Sequence, residues 1–192
     1  MAGLRERTKR AVQTEIAAAA MRLFLDRGFE AVTMDEVARA AGVSRRSLFR
    51  YFGTKEDLVL GNLADVGEAS AAILRDRPAG EPPWAALRAA FEVFVTSPDY
   101  SADWAFKIAD MVHRTPSLRT RRLEKQLNWL DRMVPAIEAR LTGPDAGLRA
   151  HAIVASALAC LDAATETWLA RDGRGDIAQL YDEAVAAVRR SD

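Results

Sequence analysis

Apolar residues recur at intervals of three and four along most of the chain, which is the spacing that gives an α-helix one buried face. The first such stripe predicts a helix over residues 9–27 that ends at Gly28. Nowhere does the sequence show the strict two-residue alternation of a half-buried strand. The pattern therefore predicts an all-α fold of about nine helices.

Two short helices follow this first stripe. Thr33 and Glu36 have the spacing of a capping box, in which each side chain bonds a backbone N–H group at the helix start. Gly42 then provides the residue that best tolerates a left-handed turn, and Ser44 can cap a second helix. Leu48 and the aromatic residue four positions later lie on the side of the second helix that packs inward. The opposite side of that helix is left for a partner.

Proline and glycine separate the helices of the remaining chain. A helix capped by Thr54 is predicted to run to the Pro/Gly-rich loop at residues 77–83. Later helices are predicted over residues 84–96, 102–113, 117–141, 145–170 and 175–190. Pro135 lies inside the third of these, where a proline removes a backbone donor, so we expect a kink there. The chain thus divides into a small helical domain, residues 1–56, and a larger one, residues 57–192.

The outward side of the second short helix is basic. Residues 37–55 contain five Arg and Lys residues and no Asp or Glu, whereas the whole chain is balanced at 27 basic and 27 acidic residues. Arginine matches O6 and N7 of guanine, and hydroxyl and lysine groups suit phosphate oxygens. A merely solvated basic face is the alternative, but two capped helices and a glycine turn accompany the charge. The stretch therefore predicts a helix-turn-helix that binds double-stranded DNA.

The same stretch resembles the signature of TetR-family transcriptional regulators. The residues that carry the resemblance are Ala-x-x-Ala-Gly-Val-Ser at 38–44, then Leu48-Phe49, Tyr51-Phe52, Lys55-Glu56 and Leu58. The similarity runs from about Ile16 to Leu60, which is under a third of the chain. It implies that the second short helix enters the major groove of DNA. It also implies that the smaller domain binds DNA and that the larger domain binds an effector and a second subunit.

The resemblance further implies which side chains contact DNA. Phosphate contacts are expected at Thr33, Ser47, Tyr51 and Lys55, base-edge contacts at Arg45, Arg46 and Arg50, and further contacts at Ser44 and Phe49. Whether Arg45 or Arg46 is the principal base-reading residue stays open. Phe49 stands where many relatives have a tyrosine whose hydroxyl bonds a phosphate. Because phenylalanine lacks that hydroxyl, we expect only van der Waals contact from it, to a sugar or a thymine methyl group.

The last two predicted helices are apolar over a surface too broad for one buried stripe. Two such helices from each of two subunits would bury that surface in a four-helix bundle, which the family resemblance also implies. A core formed within one subunit is the alternative. The predicted interface residues are Ile153, Ala157, Leu161, Trp168, Leu180, Tyr181 and Ala184. A homodimer would also present two recognition helices about 34 Å apart, as a palindromic operator requires.

Aromatic and methionine side chains are concentrated on three consecutive helices of the larger domain. They are candidates for the wall of an effector cavity, although each is also a typical core residue. The set is Phe91, Phe94, Trp104, Phe106, Met111, His113, Trp129 and Met133. Its composition favours an apolar or aromatic small molecule as the effector. With the usual behaviour of the family, the sequence predicts a homodimeric repressor that such an effector releases from an inverted-repeat operator; activation is the alternative.

Composition argues against several other classes of protein. The single cysteine, Cys160, cannot form an intramolecular disulfide, and with only two histidines the chain lacks a Cys/His zinc cluster. No paired carboxylates or Gly-rich phosphate loop indicate catalysis, so we expect no enzyme, no metal and no cofactor. Since no signal-peptide pattern or apolar span of about 20 residues is found, we expect a cytoplasmic protein without membrane contact. An architectural protein without any ligand is the competing interpretation, and it predicts a solidly packed larger domain.

Overall fold

The computed structural model describes residues 3–95 and 102–189, and these residues form nine helices and no strand. The helices are α1 (Leu4–Arg27), α2 (Met34–Ala40), α3 (Arg45–Tyr51), α4 (Lys55–Asp76), α5 (Pro83–Val95), α6 (Ala102–Arg114), α7 (Pro116–Glu138), α8 (Ala146–Ala170) and α9 (Ile177–Arg189). The predicted all-α fold is confirmed.

Local capping interactions set the starts of the short helices. At α2, the Glu36 N–H donates to Thr33 Oγ1 at 3.3 Å, and the Thr33 N–H donates to Glu36 Oε2 at 2.8 Å, which completes the capping box. At α3, the Ser47 N–H donates to Ser44 Oγ at 3.1 Å, and Thr54 caps α4 in the same way. The three predicted caps are confirmed, because these bonds need only residues three apart.

The ends of the longer helices differ from the predicted bounds by a few residues. α1 begins at Leu4, five residues earlier than predicted. α9 begins at Ile177 rather than at Gly175, since that glycine adopts a φ of 96° and cannot belong to a right-handed helix. Pro135 lies inside α7, as predicted.

Two clusters of buried side chains form the core. One lies in the larger domain, where α4, α5, α7, α8 and α9 meet, and it includes Phe91 and Met133. The other joins α1, α2 and α3 to the start of α4, and it also contains Val112 of α6 and Leu118 of α7. We call this second cluster the shared core. It means that no boundary between cores falls at residue 56.

α4 and α7 lie side by side and run parallel, and polar contacts join them in one register. Arg121 pairs with Asp57 at 3.2 Å, and Arg132 pairs with Glu68. Both pairs join residues that are 64 apart in sequence. The same register therefore holds over the roughly three helical turns that separate the two pairs.

Gly67 of α4 lies in the same seam, against the ring of Trp129 of α7. A Cβ atom at Gly67 would lie 2.1 Å from Cδ1 and Nε1 of that ring, so only a residue without a side chain fits. Further along, Arg140 donates to the carbonyl oxygens of Leu74 at 2.7 Å and Arg77 at 3.0 Å. It thereby satisfies backbone groups that the end of α4 leaves unpaired.

α8 is long and apolar enough, by length and composition alone, to cross a membrane. One helix of this kind is weak evidence for a membrane span, so the expectation of no membrane contact is not overturned. α8 packs between α7 and α9 and buries seven of its side chains, among them Ala157 and Leu161 in the core of the larger domain. Packing within the protein thus accounts for the buried third of its apolar window.

We expect Gly67→Ala to destabilise the protein by about 1–3 kcal/mol, because the added methyl group must displace the Trp129 ring. The sign is diagnostic, since Gly→Ala inside a helix otherwise stabilises by about 0.5–1 kcal/mol. Denaturant titration measures the free energy of unfolding. Gly61→Ala is the control in the same helix, as a Cβ atom there would lie at an ordinary contact distance, 3.4 Å, from the Phe52 ring. A stability of Gly67→Ala equal to or above that of the wild type would contradict the close packing of this seam.

Candidate nucleic-acid interface

The turn between α2 and α3 and the buried side of α3 fix the position of α3, the predicted recognition helix. Gly42 adopts a φ of 65°, the left-handed conformation in which glycine has no Cβ penalty. The Val43 N–H donates to the Ala38 carbonyl at 3.0 Å, which closes the turn. Leu48 is fully buried and Phe52 is nearly so, as predicted. The inner face of α3 is thus fixed, and its outer face is left accessible.

A hydrogen-bonded carboxylate ties the end of α1 to the start of α2. Glu36 accepts from the backbone N–H of Thr33, from the Thr33 hydroxyl and from Arg27, whose Nη2 lies 2.8 Å from Oε1. These bonds, the backbone one first, lower the pKa of Glu36 from 4.5 to about 2. The ionised form of Glu36 is therefore part of the structure that supports α2.

The three arginines of α3 differ in what restrains them. Arg46 is exposed and makes no hydrogen bond or ion pair with any residue in the described ranges. Arg50 stacks on the neighbouring ring of Tyr51, with Cζ 5.0 Å from the ring centroid. Arg45 is bound by a carboxylate, since its Nη1 lies 3.3 Å from Asp35 Oδ2. Of the two candidates for the principal base-reading residue, only Arg45 is held within the protein.

Asp35 is the residue of this surface that the sequence analysis missed. The acid-free stretch begins two residues after it, yet its carboxylate reaches Arg45, ten positions along the chain. Phe49, which is 42% exposed, lies on the same guanidinium, with its ring centroid 5.6 Å from Arg45 Cζ. No local spacing rule links residues ten apart, because their contact depends on how the turn orients the two helices. The outer face is therefore basic but not free of acid.

The predicted phosphate-binding hydroxyls are partly engaged within the protein. The Thr33 hydroxyl donates to Glu36 Oε2 at 2.8 Å, so a bond from it to a phosphate would have to replace that one. Ser44 Oγ donates to Ser47 Oγ at 3.0 Å, which leaves the Ser47 hydroxyl hydrogen available. Tyr51 is half-buried. The phosphate contacts of these residues stay predictions.

Lys55, at the start of α4, lies over two aromatic rings of the shared core. Its Nζ is 4.3 Å from the ring centroid of Phe29 and 6.0 Å from that of Phe24. It also donates to the Glu30 carbonyl at 3.5 Å. The ammonium group is thus held beside the loop between α1 and α2 by cation–π attraction. Its predicted contact with a phosphate is not tested by this arrangement.

Five of the predicted effector residues within the described ranges divide between the two clusters of the core. Phe91, Trp129 and Met133 are buried in the core of the larger domain, whereas Trp104 and Met111 pack against the shared core. The set thus divides between two cores, because Trp104 and Met111 of α6 pack in the cluster that includes Leu118 of α7, whereas the α5 and α7 members pack in the other.

The remaining members of that set lie elsewhere. His113 is half-buried near the end of α6. Phe106 contacts Trp168 of α8 edge to face, with ring centroids 5.6 Å apart. The side chain of Phe94 lies outside the described residues.

Two open grooves lie on the larger domain, and neither is lined by any predicted effector residue. One, of about 510 Å³, lies over the α4–α7 seam beside Glu68 and Arg132. The other, of about 420 Å³, lies between α7 and α8 and has mostly apolar walls, which include Leu123, Leu127 and Ala159. We call the second one the α7–α8 groove.

Four of the predicted dimer-interface residues are buried within a single subunit. Ala157, Leu161, Leu180 and Tyr181 are at most 7% exposed within a single subunit. Side chains already buried inside one subunit have almost no area left to bury against another. The other three members, Ile153, Trp168 and Ala184, are half-buried and pack on the same core. The broad apolar content of α8 and α9 therefore serves mainly the subunit itself.

Comparison with known proteins matches both parts of the chain. Residues 16–61 match the family model described as bacterial regulatory proteins, tetR family. Residues 81–191, more than half of the chain, match the model described as the MftR C-terminal domain. The HTH-type transcriptional regulator TcmR of Streptomyces glaucescens is 34% identical over 144 residues, which are 72% of this chain and 64% of TcmR. The match thus spans just under two thirds of that relative.

Solved structures share the same fold. FadR of Thermus thermophilus, a TetR-family repressor in complex with lauroyl-CoA, superposes with a TM-score of 0.59 at 22% identity, covering 92% of this chain and 93% of FadR. SmeT, in its complex with triclosan, superposes with a TM-score of 0.63 at 20% identity, covering 92% of this chain and 91% of SmeT. Identities this low establish similarity of fold alone.

The lowered pKa of Glu36 predicts a pH-dependent contribution to stability. Because its pKa in the folded state is below the unfolded value, its stabilising bonds are fully present above about pH 4.5 and are lost as the pH falls toward 2. The free energy of unfolding of Glu36→Gln should thus fall short of the wild type most at neutral pH, and the gap should close in acid.

Urea titrations of both proteins between pH 7 and pH 2.5 measure that gap. Glu166→Gln is the control, since Glu166 is exposed on α8 and makes no hydrogen bond or ion pair with a described residue. A gap between Glu36→Gln and wild type that is the same at every pH would show that the charge of Glu36 does not stabilise the capping box.

Proposed function

Because the chain belongs to the TetR family of bacterial transcriptional regulators, and so is a DNA-binding regulator rather than an enzyme, we propose that it acts as a homodimeric repressor. The dimer binds an inverted-repeat operator in double-stranded DNA, and a small apolar or aromatic effector releases it. The observation that carries the proposal is the outer face of α3, where three arginines stand on a helix whose inner face is locked by Leu48. Its place of action is the cytoplasm, where bacterial DNA lies.

Base reading is assigned to the arginines of α3. Arg46 is exposed and unrestrained by described residues, so its guanidinium is free to reach O6 and N7 of a guanine in the major groove. Arg45 and Arg50 flank it on the same short helix. The phosphate contacts are assigned to Thr33, Ser44, Ser47, Tyr51 and Lys55, with van der Waals contact from Phe49.

The homodimer is needed because one recognition helix reads only a few base pairs, and two helices set about 34 Å apart read both halves of a palindrome. We place the contact between subunits at the α7–α8 groove. Leu123 is 52% exposed and Leu127 is 64% exposed there. Soluble monomers rarely leave a contiguous apolar surface uncovered, and a second copy would cover this one. The smaller domain, residues 1–56, then faces DNA, and residues 57–192 carry dimerisation and effector binding.

Effector release is proposed to act through α6. Trp104 and Met111 of this helix pack against the shared core, so a ligand that moves α6 also moves the support of α3. The effector must bind the released conformation more tightly than the DNA-bound one, because equal affinity shifts no equilibrium. FadR with lauroyl-CoA and SmeT with triclosan support an effector with an apolar part, which is the acyl chain of the first ligand and the aromatic rings of the second.

A regulator without an effector is the second candidate, and the close packing of Phe91, Trp129 and Met133 favours it. The two candidates differ in whether the larger domain opens a cavity of roughly 300 Å³ or more for a ligand. Operator affinity measured with and without triclosan or lauroyl-CoA tests this difference. Release by either compound supports the repressor with an effector. A search of a broader library of apolar compounds that finds no release supports the second candidate.

Selection of bound fragments from genomic DNA at fixed salt identifies the operator and tests DNA recognition. On that operator, we expect Arg46→Ala to cost about 1–3 kcal/mol and to relax preference at one base pair in each half-site. Lys55→Ala should weaken binding to all sequences alike and reduce the dependence of affinity on salt. Arg39→Ala, which removes an exposed charge near the end of α2, is the control. If Arg46→Ala and Lys55→Ala have the same effect on operator and random DNA, the assigned roles are wrong.

We expect Leu127→Glu to convert the dimer to a monomer, because a carboxylate in an apolar contact loses its water without gaining a partner. Sedimentation equilibrium measures the change, and operator affinity should fall with it. Val188→Glu on α9 is the matched control, as Val188 is 49% exposed outside the α7–α8 groove. Dissociation by Val188→Glu and not by Leu127→Glu would move the interface to α9.

A further inference from the structure

Three residues from two helices form a contact on the DNA-facing surface that the family assignment does not explain. Arg45 Nη1 lies 3.3 Å from Asp35 Oδ2, and Arg45 Cζ lies 5.6 Å from the centroid of the Phe49 ring. Asp35 belongs to the first turn of α2, whereas Arg45 and Phe49 lie one turn apart on α3. The guanidinium is thus held between a carboxylate and an aromatic ring.

Stability of the fold does not require this contact. The side chains of Arg45 and Asp35 are 68% and 53% exposed, and an ion pair this exposed contributes little to the stability of a fold. The capping box at α2 and the burial of Leu48 already fix the two helices. A carboxylate on a surface that meets DNA also carries a cost, since it repels phosphates. Asp35 also stabilises the start of α2 as an acidic residue of its first turn, so its effect on recognition has to be measured on base preference rather than on stability.

Restraint of an arginine changes how it reads a base. A free arginine side chain has many rotamers, and part of that freedom is lost whenever the side chain is fixed on a guanine. In Arg45 the contacts with Asp35 and Phe49 favour one arrangement of the side chain before DNA arrives. The Asp35 contact engages Nη1, so that the N–H groups of Nη2 and Nε stay available for O6 and N7.

We infer that Asp35 is a specificity-determining residue that positions Arg45 for one guanine in each half-site, with Phe49 as the surface on which the guanidinium rests. The inference rests on the proposed DNA recognition by α3. It gives Phe49 a role that needs no hydroxyl group, because the face of the aromatic ring alone attracts the guanidinium. It also makes Asp35 act in two opposite ways, since its charge weakens binding to any DNA while its contact with Arg45 strengthens preference for one base pair.

Asp35→Asn tests the inference, because it keeps the size of the side chain at an exposed position and removes the charge. Affinities at fixed salt are measured for the selected operator, for operators with each base pair of the half-site replaced, and for random DNA. We expect discrimination at one base pair to fall about 3- to 10-fold, while affinity for random DNA rises. A merely structural role would lower both affinities together.

Two further variants make the result specific. In an Arg45→Ala background, Asp35→Asn should not change base preference any further, as the residue it positions is gone. Glu30→Gln is the control for charge, because Glu30 is an exposed carboxylate on the loop before α2, and only its backbone carbonyl bonds a described residue. It should leave base preference unchanged. Phe49→Leu should loosen the same base pair as Asp35→Asn.

The outcomes separate this inference from the proposed function. If Asp35→Asn leaves preference at every base pair unchanged while the wild type binds its operator specifically, the positioning role is overturned and DNA recognition stands. If Asp35→Asn alters preference equally with and without Arg45, Asp35 acts on DNA directly and the inference is wrong. If the wild type itself prefers no sequence, the proposed function and the inference fail together.

Discussion

The position of the recognition helix depends on the burial of its inner face in the shared core. Leu48 of α3 and Phe24 of α1 lie in that core with Val112 of α6 and Leu118 of α7. Burial of one such aliphatic or aromatic side chain contributes about 1.5–3 kcal/mol, more than an exposed ion pair does. The position of the DNA-binding helices therefore depends on the shared core. Part of that core comes from the domain that is proposed to bind the effector.

The seam between α4 and α7 gives this arrangement its second constraint. Asp57 and Glu68 each pair with an arginine of α7 at the same sequence separation. Gly67, which has no side chain, leaves room in the seam for the ring of Trp129. Packed surfaces of this kind change between discrete arrangements rather than deforming continuously. A displacement of α7 thus either carries α4 along or breaks several contacts together. Either response reaches α3, because α4 follows it directly in the chain.

The features that could be predicted from the sequence are those that depend on residues close together in the chain. The caps at Thr33, Ser44 and Thr54, the left-handed Gly42 and the inward Leu48 each follow from spacings of a few positions. The contact of Asp35 with Arg45 does not, because it depends on the angle between two helices. Nor does composition tell which partner an apolar side chain meets: the residues predicted for the dimer contact and the effector cavity are apolar, as predicted, but most are used within the subunit.

The shared core has a consequence for building hybrid regulators from parts of different relatives. A transplant that joins the first 56 residues of this chain to a foreign larger domain would leave the shared core, which includes Phe24 and Leu48, without Val112 and Leu118. Such a hybrid should keep the DNA-binding helices α1–α3 together with the residues of α6 and of the start of α7 that pack in the shared core. The exchange of domains between relatives is thus limited by the packing of the shared core rather than by the length of α4, which connects the domains.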